Sequence, residues 1–460
     1  MSDHTIAALA TPTGKGGIGI IRVSGGLSLD LALKHFVLPG NMRMTELASH
    51  HVNYGFFCDK SGKIVDEVLL IYMKAPRSYT AEDVVEIQSH SNPFVLRTIL
   101  SVLLDSGAAL AEPGEFTKRA FLNGRIDLTQ AEAVIDIINV RNEFSLDVAL
   151  SQITGHLKSE IVAIKEIMDD FHARIEAAID FPDDVGEIVQ QESALRILRH
   201  NVFDKLAALK KNHDELHVFR EGIRMVIVGP PNSGKSSLLN ALLNKEKAIV
   251  TPVPGTTRDL IEDVITIEGI TFELTDTAGV QDTDDPVERL GIQKTMERIS
   301  TADVIILMID ATIDSMDPSC ESILTIYNNY IKTKKILVVE NKIDRLVPGQ
   351  NRQNVLGPDL SISVLQRKGL DELKQKISDL VVRDMPENRC TLVPNLRQCR
   401  LIEQAMESAG LVMDGLEMDM PCDLLAVDVK GCVQSLDRIL GLDAKDDVLD
   451  RIFNSFCIGK

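Results

Sequence analysis

Three patterns of apolar and polar residues succeed one another along the chain. Up to about residue 118, short runs at 19–23, 67–72 and 83–87 alternate or are continuously apolar, and glycine-rich turns precede them. Such runs are typical of strands, and the mixture predicts an α+β domain. The segment 13–17 (TGKGG) is interpreted as a structural turn, because it lacks the spacing of a phosphate-binding loop and precedes a strand.

Apolar residues recur every three or four positions from about residue 119 onward. Between Leu146 and Ile179 they predict one long helix that ends before Pro182 and buries this stripe in a helical bundle. Helical patterning resumes over 191–217 and returns once more after residue 381.

Strand and helix patterns alternate between residue 223 and about residue 380, as in an open, mostly parallel sheet. Such an α/β unit is complete in itself, and its two ends can lie close together. We therefore expect it to be inserted into a helical domain. The alternative is a linear string of three domains followed by a separate C-terminal bundle.

Composition places the chain among globular proteins. Its 460 residues indicate about three domains, and its hydrophobic fraction of 44% and charged fraction of 25% are average. The N-terminus lacks an apolar signal core, and runs such as 304–309 are too short to span a bilayer, so we expect a cytoplasmic protein without membrane anchor. Seven cysteines without a C-x-x-C pair or metal-ligand spacing predict reduced thiols.

A net charge of −19 argues against a non-specific nucleic-acid binder, since phosphate contacts need clustered Lys and Arg. The net charge does not exclude a local basic surface, and the sequence offers two candidates. The first comprises Lys118, Arg119 and Arg125, and the second comprises Arg196, Arg199, Lys205, Lys210 and Lys211. An ordinary solvated helix face is the favoured interpretation of the second run.

The stretch 229–236 (GPPNSGKS) fits the phosphate-binding loop G-x-x-x-x-G-K-[ST]. Glycines admit close backbone approach, main-chain N–H groups cradle the phosphates, and Lys235 neutralises their charge. Ser236 is the expected Mg²⁺ ligand. A buried strand is predicted before the loop and a helix after it, which is the context such a loop requires.

Three further nucleotide-binding elements follow in order. Residues 254–259 (PGTTRD) form a loop in which Thr257 is a second candidate Mg²⁺ ligand, and 276–279 (DTAG) ends a strand as a γ-phosphate sensor does. In 341–344 (NKID), Asp344 can accept two hydrogen bonds from guanine, a pattern that adenine does not offer. The series predicts GTP binding.

The catalytic groups are less ordinary. Val280 stands where Ras-like enzymes carry the Gln that orients water. The sequence does not choose among the nearby acids Asp282, Asp284, Asp285 and Glu288. The missing positive charge could come from Arg258, from a partner, or from a bound monovalent cation.

The chain resembles the MnmE (TrmE) family of tRNA modification GTPases over essentially its whole length. The stretches that carry the resemblance are 10–25, 113–136, 176–184, the GTPase series and 452–460 (IFNSFCIGK). It implies a multidomain α/β and α+β fold: an N-terminal α+β folate-binding and dimerisation domain (1–118), a discontinuous helical domain (119–215 and 382–460), and an inserted Ras-like P-loop GTPase domain (216–381).

The resemblance also implies site residues. Potassium would be held by Asn232, Thr251, Val253 and Thr256, and Glu288 would position the hydrolytic water. The family usually has Ala at the second position of the base-contacting turn, where this chain has Ile362. The complete predicted nucleotide site comprises Asn232, Ser233, Gly234, Lys235, Ser236, Ser237, Thr251, Thr256, Thr257, Asp276, Thr277, Ala278, Gly279, Asn341, Lys342, Asp344, Ser361, Ile362 and Ser363.

The family's contacts to tetrahydrofolate fall on Arg22, Glu86, Arg125 and Lys460. Arg125 replaces the lysine of some members, which keeps the charge but changes the donor geometry. The segment 90–93 (HSNP) replaces His-Gly-Gly-Pro, and Gln281 replaces an arginine.

Cys457 lies in the C-terminal C-I-G-K. Prenylation is a poor interpretation, because Gly459 is not aliphatic and Lys460 is an unusual last residue. Composition favours a buried structural thiol, whereas the resemblance implies a catalytic or substrate-handling thiol near the folate site. Both interpretations stay open.

Two functions follow as hypotheses. The resemblance implies a potassium-activated GTPase subunit that, with an FAD-bearing partner of the MnmG (GidA) type, adds an (carboxymethyl)aminomethyl group to the wobble uridine of tRNA. The one-carbon unit would come from a formyl- or methylene-tetrahydrofolate. The alternative is an Era-like ribosome-assembly GTPase without tailoring chemistry, against which the long flanks, the acidic balance and the Cys-x-Gly-Lys tail argue.

Overall fold

The structure is a computed structural model that describes residues 4–12, 14, 16–40, 42–140, 142–181, 189–244, 263–268, 270–276, 296–313, 319–346, 356–382 and 392–460. The chain forms two compact units. The first comprises Met1–Ile138, Ser151–Ala207 and Arg400–Lys460, and the second comprises Asn139–Leu150 and Ala208–Cys399.

A seven-stranded sheet forms the N-terminal part of the first unit, with strand order β3-β4-β5-β6-β2-β1-β7. Side chains alternate across its pleat, so that one face buries Ile21, Val23, Leu70, Val85 and Ile87 in a common core. The predicted strand runs 19–23 and 67–72 lie within β2 and β5, and the run 83–87 overlaps β6, which begins one residue later, at Val84. The strands are β1 (Ile6–Leu9), β2 (Gly16–Ser24), β3 (Phe36–Val37), β4 (Val52–Cys58), β5 (Ile64–Met73), β6 (Val84–Ser91) and β7 (Ala109–Leu110).

Helices cover this sheet and form the rest of the unit. Helix α2 begins at Pro93, a residue suited to the first helical position, and the Asn92 side chain caps it by accepting a hydrogen bond from the Phe94 N–H at 2.9 Å. The helices up to residue 203 are α1 (Ser28–His35), α2 (Pro93–Leu104), α3 (Glu115–Leu122), α4 (Leu128–Asn139), α5 (Glu143–Ile153), α6 (His156–Asp180), α7 (Gln191–Ile197) and a π-helical turn (Leu198–Phe203).

The prediction of one long helix from Leu146 to Ile179 is wrong. The chain forms two helices, α5 and α6, because Gly155 adopts a left-handed backbone conformation with φ of 86° between them. Within α6 the predicted stripe is buried from Leu157 to Ile175. In α5 the phase differs, since Leu146 and Leu150 are exposed and the buried apolar residues are Val148 and Ala149.

The C-terminal helices show the predicted period. Leu425, Val429, Cys432, Leu436 and Ile439 are buried along α13, which packs against α6. Further helices in the described part of the chain include α8 (Asp204–Glu221), α9 (Lys235–Asn244), α10 (Ser319–Tyr330), α11 (Leu370–Val382), α12 (Leu396–Glu417), α13 (Cys422–Leu440) and α14 (Asp446–Phe453).

The second unit contains a six-stranded sheet of order β13-β12-β11-β8-β10-β9, parallel except for β9. Its central strands are apolar on both faces, as in sheets covered by helices on each side. The carboxyl ends of β8, β11 and β12 therefore share one edge of the sheet. The strands are β8 (Ile223–Val228), β9 (Asp263–Ile267), β10 (Ile270–Asp276), β11 (Val304–Asp310), β12 (Lys335–Asn341) and β13 (Leu360–Ser361).

Among the described residues, no helix has the length and apolar character that crossing a bilayer requires. The cysteines Cys58, Cys422, Cys432 and Cys457 are free thiols, as the sequence predicted for most of them. Complete burial raises the pKa of Cys432 to about 12, so this thiol stays protonated and serves as a core side chain.

Candidate functional site

The phosphate-binding loop lies at the carboxyl edge of the second unit's sheet. Strand β8 leads into it and α9 begins at Lys235, as the sequence predicted. Asn232 has φ of 63° and Gly234 has φ of 100°, both left-handed. A Cβ on Gly234 would collide with the Asn341 amide, and one on Gly229 would lie 2.5 Å from the Met308 carbonyl oxygen. The glycines are therefore required by close backbone packing.

Lys235 bends back over this loop. Its buried ammonium donates to the carbonyl oxygens of Gly229 at 3.0 Å and Pro230 at 2.9 Å. Ser236 and Ser237 are exposed in the first turn of α9. A helix N-terminus with an adjacent ammonium suits a polyanion, and an exposed hydroxyl there can reach its metal ion.

The predicted guanine-binding turn follows β12 and is tied to the phosphate-binding loop. The Asn341 amide donates to the Ser233 carbonyl oxygen at 2.9 Å and accepts from the Val364 N–H at 3.1 Å. Ser363 donates to an Asp344 carboxylate oxygen at 2.5 Å. Asn341 thus connects three segments of the site, and Ser363 orients the Asp344 carboxylate.

The turn at 361–363 joins this group through the main chain of β12 and its own side chains. The Ile362 N–H donates to the Glu340 carbonyl oxygen at 2.7 Å, and the Ser361 hydroxyl donates to the Glu340 carboxylate at 2.9 Å. The Ile343 N–H donates to the Ile362 carbonyl oxygen at 3.3 Å. Of the predicted nucleotide residues, those on the loop and on both turns are thereby brought together.

Asp310 is a member of this site that the sequence analysis missed. It ends β11 and binds the Lys342 ammonium at 2.6 Å. Burial acts to raise the pKa of Asp310, but the hydrogen bonds from Lys342 and Thr312 outweigh it and hold the pKa below the ordinary value. An acid that ends an apolar strand beside the phosphate-loop strand is the sequence signal that could have identified it.

Several predicted residues lie outside the described part of the chain. Asp276 ends β10, whose backbone pairs in parallel with β8 at Ile227. Asp276 is the last described residue of this stretch, and the predicted residues that lie outside are Thr251, Val253, Thr256, Thr257, Arg258, Thr277, Ala278, Gly279, Val280, Gln281, Asp282, Asp284, Asp285 and Glu288.

The predicted folate residues lie together in the first unit. Arg22 on β2 faces Glu86 on β6 in the strand register, and its Nε and Nη2 atoms each lie 2.9 Å from Glu86 Oε1. Arg22 Nη1 also approaches the Gly459 carbonyl oxygen at 3.5 Å. Antiparallel pairing therefore aligns this ion pair, and the C-terminal tail reaches it.

Tyr79 is a second residue that the sequence analysis missed. The guanidinium carbons of Arg22 and Arg125 lie 5.1 Å and 5.0 Å from the centre of its ring. Arg125 donates to the Tyr79 carbonyl oxygen at 2.7 Å, and the Tyr79 hydroxyl lies 2.8 Å from Thr117 Oγ1. Tyr79 joins the two predicted arginines through cation–π contacts. A single aromatic residue in a loop gives no sequence signal of this kind.

The C-terminal tail packs closely beside these residues. The Phe116 N–H donates to the main-chain oxygen of Lys460 at 3.2 Å, and Gly459 has φ of 93°. A Cβ on Gly459 would collide with the main chain of Leu9 and Ala10. Burial, and then the charge of Arg22, lower the pKa of Lys460. Cys457 is exposed, which differs from the buried structural thiol that composition favoured.

The candidate basic surfaces are largely compensated by acids. Lys118 pairs with Asp450 at 2.7 Å, and buried Arg119 pairs with Glu82 at 3.2 Å and Glu115 at 2.8 Å. In the second run, Lys205, Lys210 and Lys211 pair with Glu160, Asp214 and Glu215, respectively. The favoured interpretation as a solvated helix face agrees with these pairs.

One mixed group of potential metal ligands occurs in the described part of the chain: His213, Asp214 and Cys399. Asp214 is exposed and engaged by Lys210 at 3.0 Å, and His213 Nδ1 donates to the Pro394 carbonyl oxygen at 2.8 Å. These contacts give Asp214 and His213 structural roles, and we assign no metal to the group.

A mostly parallel sheet that presents a phosphate-binding loop after β8 and an Asn-Lys-x-Asp turn after β12 defines the class of P-loop GTPases. The protein-family model for the GTP-binding protein TrmE N-terminus matches residues 5–125, and the family model for the MnmE helical domain matches residues 128–457. The chain belongs to the MnmE family of tRNA modification GTPases.

Curated relatives match over the full length. The tRNA modification GTPase MnmE of Carboxydothermus hydrogenoformans is 41% identical over 467 residues, with 100% of both chains covered. That of Acetivibrio thermocellus is 42% identical over 465 residues, covering 100% of this chain and 99% of the relative. A structure of Aquifex aeolicus Era bound to GDP·AlF4− is 30% identical, and the match covers 40% of this chain and 66% of that one with a TM-score of 0.28.

These matches confirm the predicted multidomain α/β and α+β fold class. They also identify the chain as a tRNA modification GTPase. They favour a tRNA modification GTPase over the Era-like ribosome-assembly alternative, because the relatives match on both sides of the GTPase region. The domain boundaries at 118, 215 and 381 stay predictions.

Proposed function

We propose that this chain is the GTP-hydrolysing subunit of a complex that adds an (carboxymethyl)aminomethyl group to the wobble uridine of tRNA. A formyl- or methylene-tetrahydrofolate supplies the one-carbon unit, and an FAD-containing protein of the MnmG (GidA) type is the partner. The chain works in the cytoplasm as a homodimer joined through its N-terminal domain. Exposed apolar side chains on β2 and β4, Ile18, Val52 and Tyr54, support a protein contact on that sheet.

The single observation that carries the proposal is the convergence of Arg22, Glu86, Arg125 and Lys460 within the first unit. Folate presents a pterin edge rich in N–H donors and a glutamate tail with carboxylates. A carboxylate such as that of Glu86 accepts from the former, and guanidinium or ammonium groups bind the latter. Cys457 lies two residues before Gly459, whose carbonyl oxygen approaches Arg22 Nη1, and it is the candidate thiol for substrate handling.

Deletion of the gene tests the whole proposal. Mass spectrometry of tRNA nucleosides should show loss of the modified wobble uridines, and expression of the intact chain should restore them. Expression of a Cys457→Ser variant tests the thiol separately. If Cys457 handles substrate, this variant should not restore the modified uridines. The Era-like function would be supported instead by an unchanged nucleoside profile in the deletion strain together with co-purification of the protein with ribosomal subunits from the wild-type strain.

Arg22→Ala is expected to lower the affinity for 5-formyltetrahydrofolate about tenfold or more, because a charge-assisted hydrogen bond contributes about 1.5–3 kcal/mol. It also leaves the partly buried Glu86 carboxylate without its guanidinium. Isothermal titration calorimetry measures the change. Lys118→Ala is the matched control, since it removes a cation of the same unit that pairs with Asp450. Equal affinities for wild type and Arg22→Ala would contradict the folate assignment.

For GTP hydrolysis we propose Mg²⁺ bound by Ser236 and Thr257 and K⁺ bound by Asn232, Thr251, Val253 and Thr256. Glu288 positions the attacking water, and Arg258 is a further candidate for the catalytic charge. A cation beside the β- and γ-phosphates supplies the stabilisation that an arginine finger supplies elsewhere. Support comes from Asn232, which is exposed on the phosphate-binding loop in a left-handed conformation.

Hydrolysis is expected to be roughly tenfold or more faster in potassium chloride than in sodium chloride at equal ionic strength, since the fitting cation stabilises transition-state charge. Asn232→Gly should abolish the difference, because glycine tolerates the φ of 63° while removing the ligand. Asn240→Ala, an exposed change on α9, should preserve it. Phosphate release assays measure both. Equal rates in the two salts would exclude potassium activation.

A further inference from the structure

We propose that Asp310 is a positioning residue for guanine-nucleotide binding, which acts by holding Lys342 and, through it, the turn that carries Asn341 and Asp344. The inference rests on the assignment of that turn to guanine recognition. It adds a residue from a different strand, 32 positions earlier in the chain.

The Asp310 carboxylate is fully engaged in two directions. One oxygen, Oδ2, accepts from the Lys342 ammonium at 2.6 Å. The other, Oδ1, accepts from the Thr312 N–H at 3.0 Å and the Thr312 hydroxyl at 2.8 Å. Only 8% of the Asp310 side chain and 21% of the Lys342 side chain are exposed, so the pair is shielded from water and salt.

The main chain strengthens this connection. Asp310 and Asn341 are register partners at the carboxyl ends of β11 and β12, and the Ala311 N–H donates to the Asn341 carbonyl oxygen at 2.8 Å. The residues that follow each strand therefore start from fixed positions. The Asp310 side chain then reaches the first residue of the turn beyond β12.

Lys342 is the residue of the turn that most needs such support. Its φ of 68° is left-handed, a conformation that non-glycine residues adopt at a cost and keep only where their surroundings hold them. Asn341 on one side is bonded to Ser233 of the phosphate-binding loop, and Asp344 lies two residues beyond on the other side. Loss of the Lys342 anchor should therefore loosen the base-binding group relative to the phosphate-binding loop.

The effect should fall on binding and not on the chemical step. Asp310 and Lys342 act on the turn predicted to contact the base, whereas hydrolysis takes place at the γ-phosphate. A substitution that weakens a contact made equally in the bound state and the transition state raises KM and leaves kcat unchanged. GDP and GTP should lose affinity to the same extent.

Asp310→Asn tests the proposal, because the amide oxygen can still accept from Thr312 while the negative charge facing Lys342 is lost. We expect Kd for GDP and KM for GTP to rise about tenfold, as for loss of one charge-assisted hydrogen bond, with kcat at saturating GTP unchanged. Asp303→Asn is the matched control. Asp303 lies at the opposite end of β11, accepts from the Arg224 N–H at 2.9 Å and should change affinity little.

A double-mutant cycle separates positioning from general stabilisation. Lys342→Ala should weaken GDP binding as Asp310→Asn does, and the double variant should be no weaker than the worse single variant. Equal GDP affinity for Asp310→Asn and Asp303→Asn, or additive losses in the cycle, would overturn the proposal. Should Asp344→Asn leave the base preference unchanged, the guanine assignment itself fails, whatever Asp310 does.

Discussion

Replacing Asp344 with asparagine is expected to shift the nucleotide preference of this GTPase from GTP towards XTP. The carboxylate accepts hydrogen bonds from the guanine N1–H and 2-amino groups, whereas an amide offers one acceptor and one donor. Xanthine carries a carbonyl at the 2-position, so the amide matches it and mismatches guanine. Because a site built for hydrogen bonds rejects a mismatched partner strongly, kcat/KM for GTP should fall about a hundredfold or more.

Competition between GDP and XDP for a fluorescent nucleotide measures this preference directly. Asp359→Asn is a suitable control, because Asp359 directly precedes β13 and accepts from the Val338 N–H of β12 at 2.8 Å. Ser363→Ala should weaken GDP binding without improving XDP binding, since it removes only the hydroxyl that orients Asp344. Unaltered discrimination in Asp344→Asn would mean that another residue recognises the base.

The features predicted well from sequence are those that a few neighbouring residues determine. An apolar run before the phosphate-binding loop predicted a strand at 223–228, and β8 spans Ile223–Val228. The spacing of Gly229 and Gly234 predicted the phosphate-binding loop. This local signal is reliable because neither position has room for a side chain. The apolar period likewise predicted the buried stripe of α13. Each of these signals is local, so it survives without knowledge of the tertiary fold.

The misses have a common physical origin in contacts between distant segments. Asp310 gains its role from Lys342, 32 positions later, and Tyr79 gains its role from Arg125, 46 positions later. Neither pairing leaves a periodic trace in the sequence. The broken helix was missed for a different reason: apolar residues kept a helical spacing across Gly155, whose left-handed backbone nevertheless separates α5 from α6.

The site in the first unit is the extreme case of distant assembly. Arg22 approaches Gly459 across 437 positions of sequence, with Glu86 and Arg125 contributed by other segments. Residue patterns alone did not single out these four partners, and the family resemblance was needed to name them. The strand register explains half of the arrangement, because Arg22 and Glu86 are direct partners across β2 and β6.

Two substitutions should separate nucleotide binding from hydrolysis. Lys235→Ala removes the ammonium that lies over the phosphate-binding loop, so GTP binding and turnover should both be lost. Glu288→Ala should retain GTP affinity within about twofold but lower kcat by about a hundredfold or more, as for loss of a group that positions the reacting water. Equilibrium binding of a non-hydrolysable GTP analogue and single-turnover phosphate release measure the two quantities on the same preparations.

The choice of Glu288 over its neighbours can be decided in the same assay. Asp282→Ala, Asp284→Ala and Asp285→Ala remove the other acids of that stretch and should leave kcat nearly unchanged. If one of them abolishes turnover while Glu288→Ala does not, the water is positioned by that acid. The K⁺ dependence of each active variant then connects water positioning with charge stabilisation. Because K⁺ offsets phosphate charge, it should still accelerate hydrolysis by any variant whose water-positioning acid is intact.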